Sequence, residues 1–180
     1  MCVWGRKFVR DNGIVDPAIQ LREDLSSALA KAFSLRVKLR ILTNNETPDS
    51  DFKGADLALR VRTVDWFIES DSSHSWTILH LRATLFDIRA QKVVTEGDCQ
   101  SEVPPANTAL TYDQLVANSG ASLKEQLRKV TDRCHDYFRR CLLSIVDGAD
   151  AGAQACPAAG HYPGERMIHS APPRADRRRA

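Results

Sequence analysis

Apolar and polar side chains alternate most densely between Ala55 and Gly97, where three runs read as consecutive β-strands: ADLALRVRTVDWFIES, SWTILHLRATLFDIRA and QKVVTEG. A strand shows successive side chains to opposite faces, so residues two apart share a surface. In the first run Leu57, Leu59 and Val61 form one set, and after Thr63 the apolar residues change parity to Val64, Trp66 and Ile68. A one-residue slip of this kind predicts a bulge, or a strand end covered on both faces. In the second run Leu79, Leu81, Ala83 and Leu85 are one set. Trp76 and Ile78 before it, and Phe86 and Ile88 after it, have the other parity, and His80 shares the more polar face with Arg82 and Thr84. The links between the runs are short and polar, which predicts antiparallel pairing of neighbours.

Helical spacing flanks these strands. Asp16-Pro17 is a helix start, because an Asp can cap the free N–H groups of a first turn and Pro suits the first helical position. The stripe Ala18, Leu21, Leu25, Ala28, Leu29 and Ala32 predicts a helix to about Phe33 that packs on the sheet, with Arg22, Glu23 and Ser26 off the stripe. Residues 36–41, RVKLRI, alternate strictly and predict a half-buried strand with Val37, Leu39 and Ile41 inward. Val3 to Val9 reads as a further short strand closed by an Asn12-Gly13 turn. Residues 43–54 have loop composition, favoured as a mobile loop, and the two prolines of 103–110 predict an extended linker. Thr111-Tyr112-Asp113-Gln114 has the form of a capping box. An apolar stripe from Tyr112 through Leu123, Val130 and Cys134 to Ile145 then predicts a long helix, with a kink or a close packing on the sheet at Gly120.

Composition sets the limits. A chain of 180 residues with 43% hydrophobic and 27% charged residues suits one soluble domain, expected over 1–146, with the Ala-, Gly-, Pro- and Arg-rich stretch 147–180 as a disordered tail. The formal net charge of +2 makes no overall electrostatic case for nucleic acid or an acidic membrane. No run approaches the about 20 apolar residues of a membrane span. Read as it stands, the chain shows no secretory signal and is expected in the cytoplasm. Its abrupt opening on Met1-Cys2-Val3-Trp4 also suits a reading frame begun too far downstream, with a signal peptide lost, and then the periplasm or outer membrane is expected.

The candidate chemistry is sparse. No nucleophile elbow, phosphate loop, dinucleotide fingerprint or zinc-protease motif occurs, so no catalytic, cofactor-binding or metal residue is assigned and no enzyme is expected. Trp66 and Trp76 flank the first hairpin loop and are expected to be cross-strand neighbours, with a ligand-stacking surface as the alternative. The outward residues of either parity, Trp66, Trp76, Phe86 and Ile88, make a candidate interaction surface. Arg36, Lys38 and Arg40 form a candidate basic patch, for which a solvated strand face is the preferred reading because no aromatic side chains interleave. Five cysteines, Cys2, Cys99, Cys134, Cys141 and Cys156, match no metal spacing. Cys99 follows the third strand and Cys134 lies on the apolar stripe of the long helix, so the two meet if that helix packs over that strand. A disulfide in an oxidising compartment and two buried thiols in a reducing one both fit this placement.

The order helix–strand–strand–strand–strand–helix resembles a group of small Gram-negative cell-envelope lipoproteins. The residues that carry the likeness are Leu85, Asp87, Lys92, Val93 and Cys99, then Tyr112, Leu115, Ala117, Asn118 and Cys134. That group is similar in fold to the amino-terminal domain of TolB and to CsgG-like secretion lipoproteins. The resemblance implies a non-enzymatic periplasm-facing accessory protein that works through a protein partner or as a homo-oligomer, attached to a membrane only through a lipid anchor that this sequence lacks. The alternative is a small cytoplasmic nucleic-acid-binding module using the basic patch and the Arg-rich tail. The expected architecture is α/β of the α+β kind. An antiparallel or mixed sheet of four to five strands is covered on one face by two helices, its other face left exposed or meeting a partner.

Overall fold

The computed structural model describes residues 3–37, 55–103 and 110–145, with side chains from Lys7 onward. Three strands form the sheet: β1 (Leu57–Ser70), β2 (Ser75–Asp87) and β3 (Lys92–Glu102). They are joined in an antiparallel meander in the order β1-β2-β3. Three helices accompany them: α1 (Val3–Asp11), α2 (Pro17–Phe33) and α3 (Tyr112–Tyr137), the last running into a π-helical turn, Phe138–Leu142. The class is the expected α+β, with three strands among the described residues where the sequence suggests four or five.

The strand irregularities lie where the apolar parity changes. Thr63 pairs with Leu81 and Asp65 with His80, so Val64 is an extra residue on β1. Leu85 pairs with Thr95 and Phe86 with Val93, so Val94 is an extra residue on β3. The first hairpin turns on Asp71, whose Oδ1 accepts the N–H groups of Ser73 at 2.8 Å and His74 at 2.7 Å.

Two elements differ from the sequence reading. Val3–Asp11 is a helix, because Asn12-Gly13 acts as a helix stop and not as a hairpin turn. Gly13 takes φ +59°, its N–H reaches Arg10 O at 3.1 Å and the Ile14 N–H reaches Val9 O at 2.9 Å, the paired bonds of a Schellman cap. Val9 and Ile14 then meet in the core, the apolar contact that accompanies such a cap. Second, Arg36 and Val37 follow α2 without strand pairing, and Val37 is exposed, so its expected inward orientation is not found. Lys38 to Ile41, the loop 43–54, most of the linker 103–110 and the tail 147–180 lie outside the described residues.

Both long helices begin as their sequences dictate. Asp16 caps α2 by accepting the Ala18 N–H at 3.0 Å, and the same oxygen accepts from Thr63 Oγ1 at 2.5 Å. One carboxylate therefore fixes the start of α2 beside the β1 bulge. Thr111 and Gln114 form the reciprocal capping box of α3. Leu21, Leu25 and Leu29 of α2 and Val130, Cys134 and Phe138 from the α3 side bury against Leu79, Leu81 and Ala83 of β2. Ser26 is buried as well and Ala32 is exposed, which turns the α2 stripe slightly from its expected line.

A second cluster joins Ile14, Leu115, Leu123 and Leu127 with Phe8 and Val9. α3 reaches it through the expected break: Ala117 is extended, and Asn118, Ser119 and Gly120 are left-handed. Gly120 is buried, and a Cβ there would lie 3.5 Å from the Phe8 ring, so the close approach is to α1 and not to the sheet. That is ordinary contact distance, so the constraint is the backbone, at φ +70°. Gly120→Ala is expected to lower stability by about 1–2 kcal/mol, measured by urea denaturation.

Candidate functional site

Both α2 and α3 pack on one face of the sheet, and the strand registers define what remains on the other. Across that open face the rows are Ala58–Phe86–Val93, Arg60–Thr84–Glu96, Arg62–Arg82–Asp98, Asp65–His80–Gln100 and Phe67–Ile78–Glu102, with Glu69 beside Trp76 at the hairpin end. The face is thus apolar at its two ends and charged across its middle. Phe67 is 46% exposed and Val93 49%, while Ile78 is buried beneath its neighbours.

The charged belt is tied together across β2 and β3. Arg82 donates to Asp98 through Nε at 2.7 Å and Nη2 at 2.9 Å, a two-pronged clasp. His80 stands between two carboxylates, with Nε2 3.2 Å from Asp98 Oδ1 and Nδ1 3.9 Å from Asp65 Oδ1. Thr84 Oγ1 donates to Glu96 at 2.8 Å. The Arg82 hydrogen bond holds the Asp98 carboxyl below its ordinary value, against the partial burial that pushes it up. Arg60 and Arg62 are exposed and have no carboxylate partner among the described residues. The Trp76 indole N–H is buried without a hydrogen-bond partner among them.

The proposed interaction residues divide between the two faces. Trp76 and Phe86 lie on the open face, and Ile88 lies just past β2, where its N–H reaches Asp56 O at 2.9 Å. Trp66 pairs with Leu79 and packs into the core under the helices, whereas Trp76 pairs with Glu69. The two tryptophans are therefore not cross-strand neighbours and make no common stacking surface. The extra residue Val64 does not reunite them, because the hairpin loop sets Trp66 and Trp76 on opposite parities. Of the basic patch, Arg36 is exposed just beyond α2, and Lys38 and Arg40 lie outside the described residues. The clasp of Arg82 on Asp98 escapes a reading of either strand alone. Its signal is polar residues at period two in both strands, His80-Arg82-Thr84 and Glu96-Asp98-Gln100.

On the covered face Cys99 and Cys134 are bonded, with Cα atoms 5.7 Å apart and both residues buried. Cys99 pairs with Leu81 at the middle of β2, so the bond joins α3 to the sheet near its centre. Cys141 is also disulfide-bonded. Eight residues before Cys134, the Gln126 Oε1 accepts the Thr77 N–H at 2.9 Å and its hydroxyl at 2.8 Å. β3 has ended there, and the Val103 N–H supplies the Thr77 carbonyl at 3.2 Å. Among the described residues no group of three or more His, Cys, Asp or Glu is placed to hold a metal ion. No family model matches this chain, and neither does any curated protein or solved structure.

Two outcomes follow from this geometry. Replacing Cys99 and Cys134 together by Ala is expected to cost about 3–4 kcal/mol, the chain-entropy value for a loop of this length, read from denaturation midpoints under non-reducing conditions. Because the Asp98 carboxyl is lowered in the fold, its contribution is complete above the ordinary carboxylate range and lost as pH falls through the folded value. The destabilisation by Arg82→Ala should accordingly be present at pH 7 and shrink toward pH 2, measured by urea denaturation at both pH values.

Proposed function

We propose that this chain is a non-enzymatic accessory protein of the cell envelope that acts through protein contacts on the open face of its sheet. The observation that carries the reading is the division of the sheet. One face is covered by α2 and α3 and closed by the Cys99–Cys134 bond, and the other presents Phe67, Trp76, Phe86 and Val93 around a charged belt. Apolar side chains bordering charged ones on one surface suit a protein partner.

Two further features support the compartment. A buried bond between strand and helix suits the oxidising periplasm, where structural disulfides form and persist. The resemblance to envelope lipoproteins related to the TolB amino-terminal domain points the same way and supplies a lipid anchor as the route to a membrane. Among the described residues no helix is long and apolar enough to cross one.

The charge on the open face favours protein over nucleic acid. Arg60, Arg62 and Arg82 are outnumbered there by Asp65, Glu69, Glu96, Asp98 and Glu102. A polyanion seeks the opposite balance.

A photo-crosslinking residue at Phe67, in protein exported to the envelope, is expected to give protein adducts, and the same residue at exposed Glu23 of α2 is expected to give none. Equal labelling from both positions, or no adduct from Phe67, would overturn the reading. Alkylation before and after reduction reads the compartment in the same cells. Cys99 and Cys134 should react only after reductant, and free thiols at these two positions in the exported protein would contradict the assignment; with five cysteines in the chain, a thiol elsewhere would not.

A further inference from the structure

We propose that the open face of the sheet receives a second copy of this chain, in a face-to-face dimer whose two-fold axis runs along β2. This partner rests on the reading that the face makes protein contacts. The argument is the distribution of charge across the strands. In the middle of the face β1 carries Arg60 and Arg62, and β3 carries Glu96 and Asp98. The register places Arg60 in the same row as Glu96, and Arg62 in the same row as Asp98.

A two-fold axis parallel to β2 exchanges the two sides of the face and keeps each row. It therefore sets Arg60 of one copy against Glu96 of the other, and Arg62 against Asp98, twice over. Arg60 and Arg62, which have no carboxylate partner among the described residues, acquire one. On the axis itself Trp76 meets Trp76 and Phe86 meets Phe86, both partly exposed. Arg82 also lies there, but Asp98 already clasps it at 2.7 Å, so each copy brings a compensated pair and not a bare cation. A two-fold across the strands is the other choice for packed sheets. It would set β3 against β3 and bring Glu96 toward Glu102 of the second copy, like charge on like, and of the four central residues only Arg62, set toward Asp65, would meet an opposite charge.

The face is also of adequate size. Three strands of this length present about 40 Å by about 15 Å, on the order of 600 Å² in projection, near the roughly 800 Å² per partner of a standard interface. Aligned sheets pack about 10 Å apart with their strands within about 30° of each other, which keeps the rows in register near the axis.

Charge reversal on exposed residues tests this without touching the core. Arg60→Glu would oppose Glu96 of the second copy, and Glu96→Arg would oppose Arg60. By sedimentation equilibrium, wild-type protein is expected to dimerise and to dissociate more readily as salt is raised. Each single variant should bind itself at least about tenfold more weakly. An equimolar mixture of the two variants should form a heterodimer, because every reversed charge then meets its opposite, and the double variant R60E/E96R should regain the homodimer. Far-ultraviolet circular dichroism and unreactive Cys99 and Cys134 establish that each variant is folded. Monomeric wild type at millimolar concentration and low salt, unaltered single variants, or a mixture that stays monomeric would each overturn the dimer. If the wild type is monomeric while Phe67 crosslinks to a different protein, the second copy is excluded and the protein-contact reading stands. If Phe67 gives no adduct either, both fall.

Discussion

The contact between the inner face of β2 and α3 constrains the rest of the described structure. β2 is hydrogen-bonded on both sides, so its backbone is satisfied and only its faces need cover. Leu79, Leu81 and Ala83 have no exposed surface, and α3 and the π-helical turn after it supply Val130, Cys134 and Phe138 opposite them. Two fixed points hold the helix there: the bond from Cys134 to Cys99, and the Gln126 bonds to Thr77. Eight helical residues span about 12 Å, so a helix tied at both can neither slide nor roll. The left-handed step at Asn118–Gly120 follows from this rigidity. A straight helix held along β2 would carry Leu115 away from the second cluster, and the break turns the first helical residues back toward Ile14 and Phe8. Positive φ at Asn118 and Ser119 is the cost, of order 1–2 kcal/mol for each such residue, and full burial of Leu115 offsets it.

Much of this was legible in the chain because local patterns and long-range contacts agree. Asp16-Pro17 and Thr111 through Gln114 mark helix starts by residue combinations that suit a helix start, and both act there. The parity change after Thr63 became the Val64 bulge, because a slip of one residue moves every following side chain to the other face. Asn12-Gly13 misled because a left-handed Gly closes hairpins and helices alike. What separates the two is whether the preceding apolar residues pack at helical spacing, and Phe8 and Val9 are adjacent, which a short strand reading accommodates equally well. The bonding of Cys99 to Cys134 was open between two redox states because their separation along the chain says nothing of their separation in space.

The open face was the least legible part, and the reason is register. Along β2 the residues His80, Arg82 and Thr84 read as an ordinary polar face, and along β3 so do Glu96 and Asp98. Only the antiparallel alignment brings Arg82 beside Asp98 and puts His80 between two carboxylates. The same alignment changes the account of charge. Counted along a single segment, Arg36, Lys38 and Arg40 suggest a basic stripe, but the face assembled from three strands holds more carboxylates than arginines. Electrostatic character belongs to the surface and not to the segment, and a chain of small net charge still folds to a surface with a positive and a negative side.

The bulges bear on how such a surface is approached. Each outer strand of the described sheet carries one extra residue, Val64 on β1 and Val94 on β3. A bulge interrupts the regular ladder of N–H and C=O groups and increases local twist, which blunts an edge as a template for another strand. Extension of the sheet would have to pass an irregularity in mid-strand on β1 and near the strand start on β3. The face meets no such obstacle, because β2 at its centre is regular and its outward side chains alternate without a break from Trp76 to Phe86. The residues that disturb the edges are thus the same ones that leave the flat of the sheet as the surface best formed for contact. The covered face can hold the fold together while the open one varies, since the two sets of side chains share strands but no contacts across the sheet.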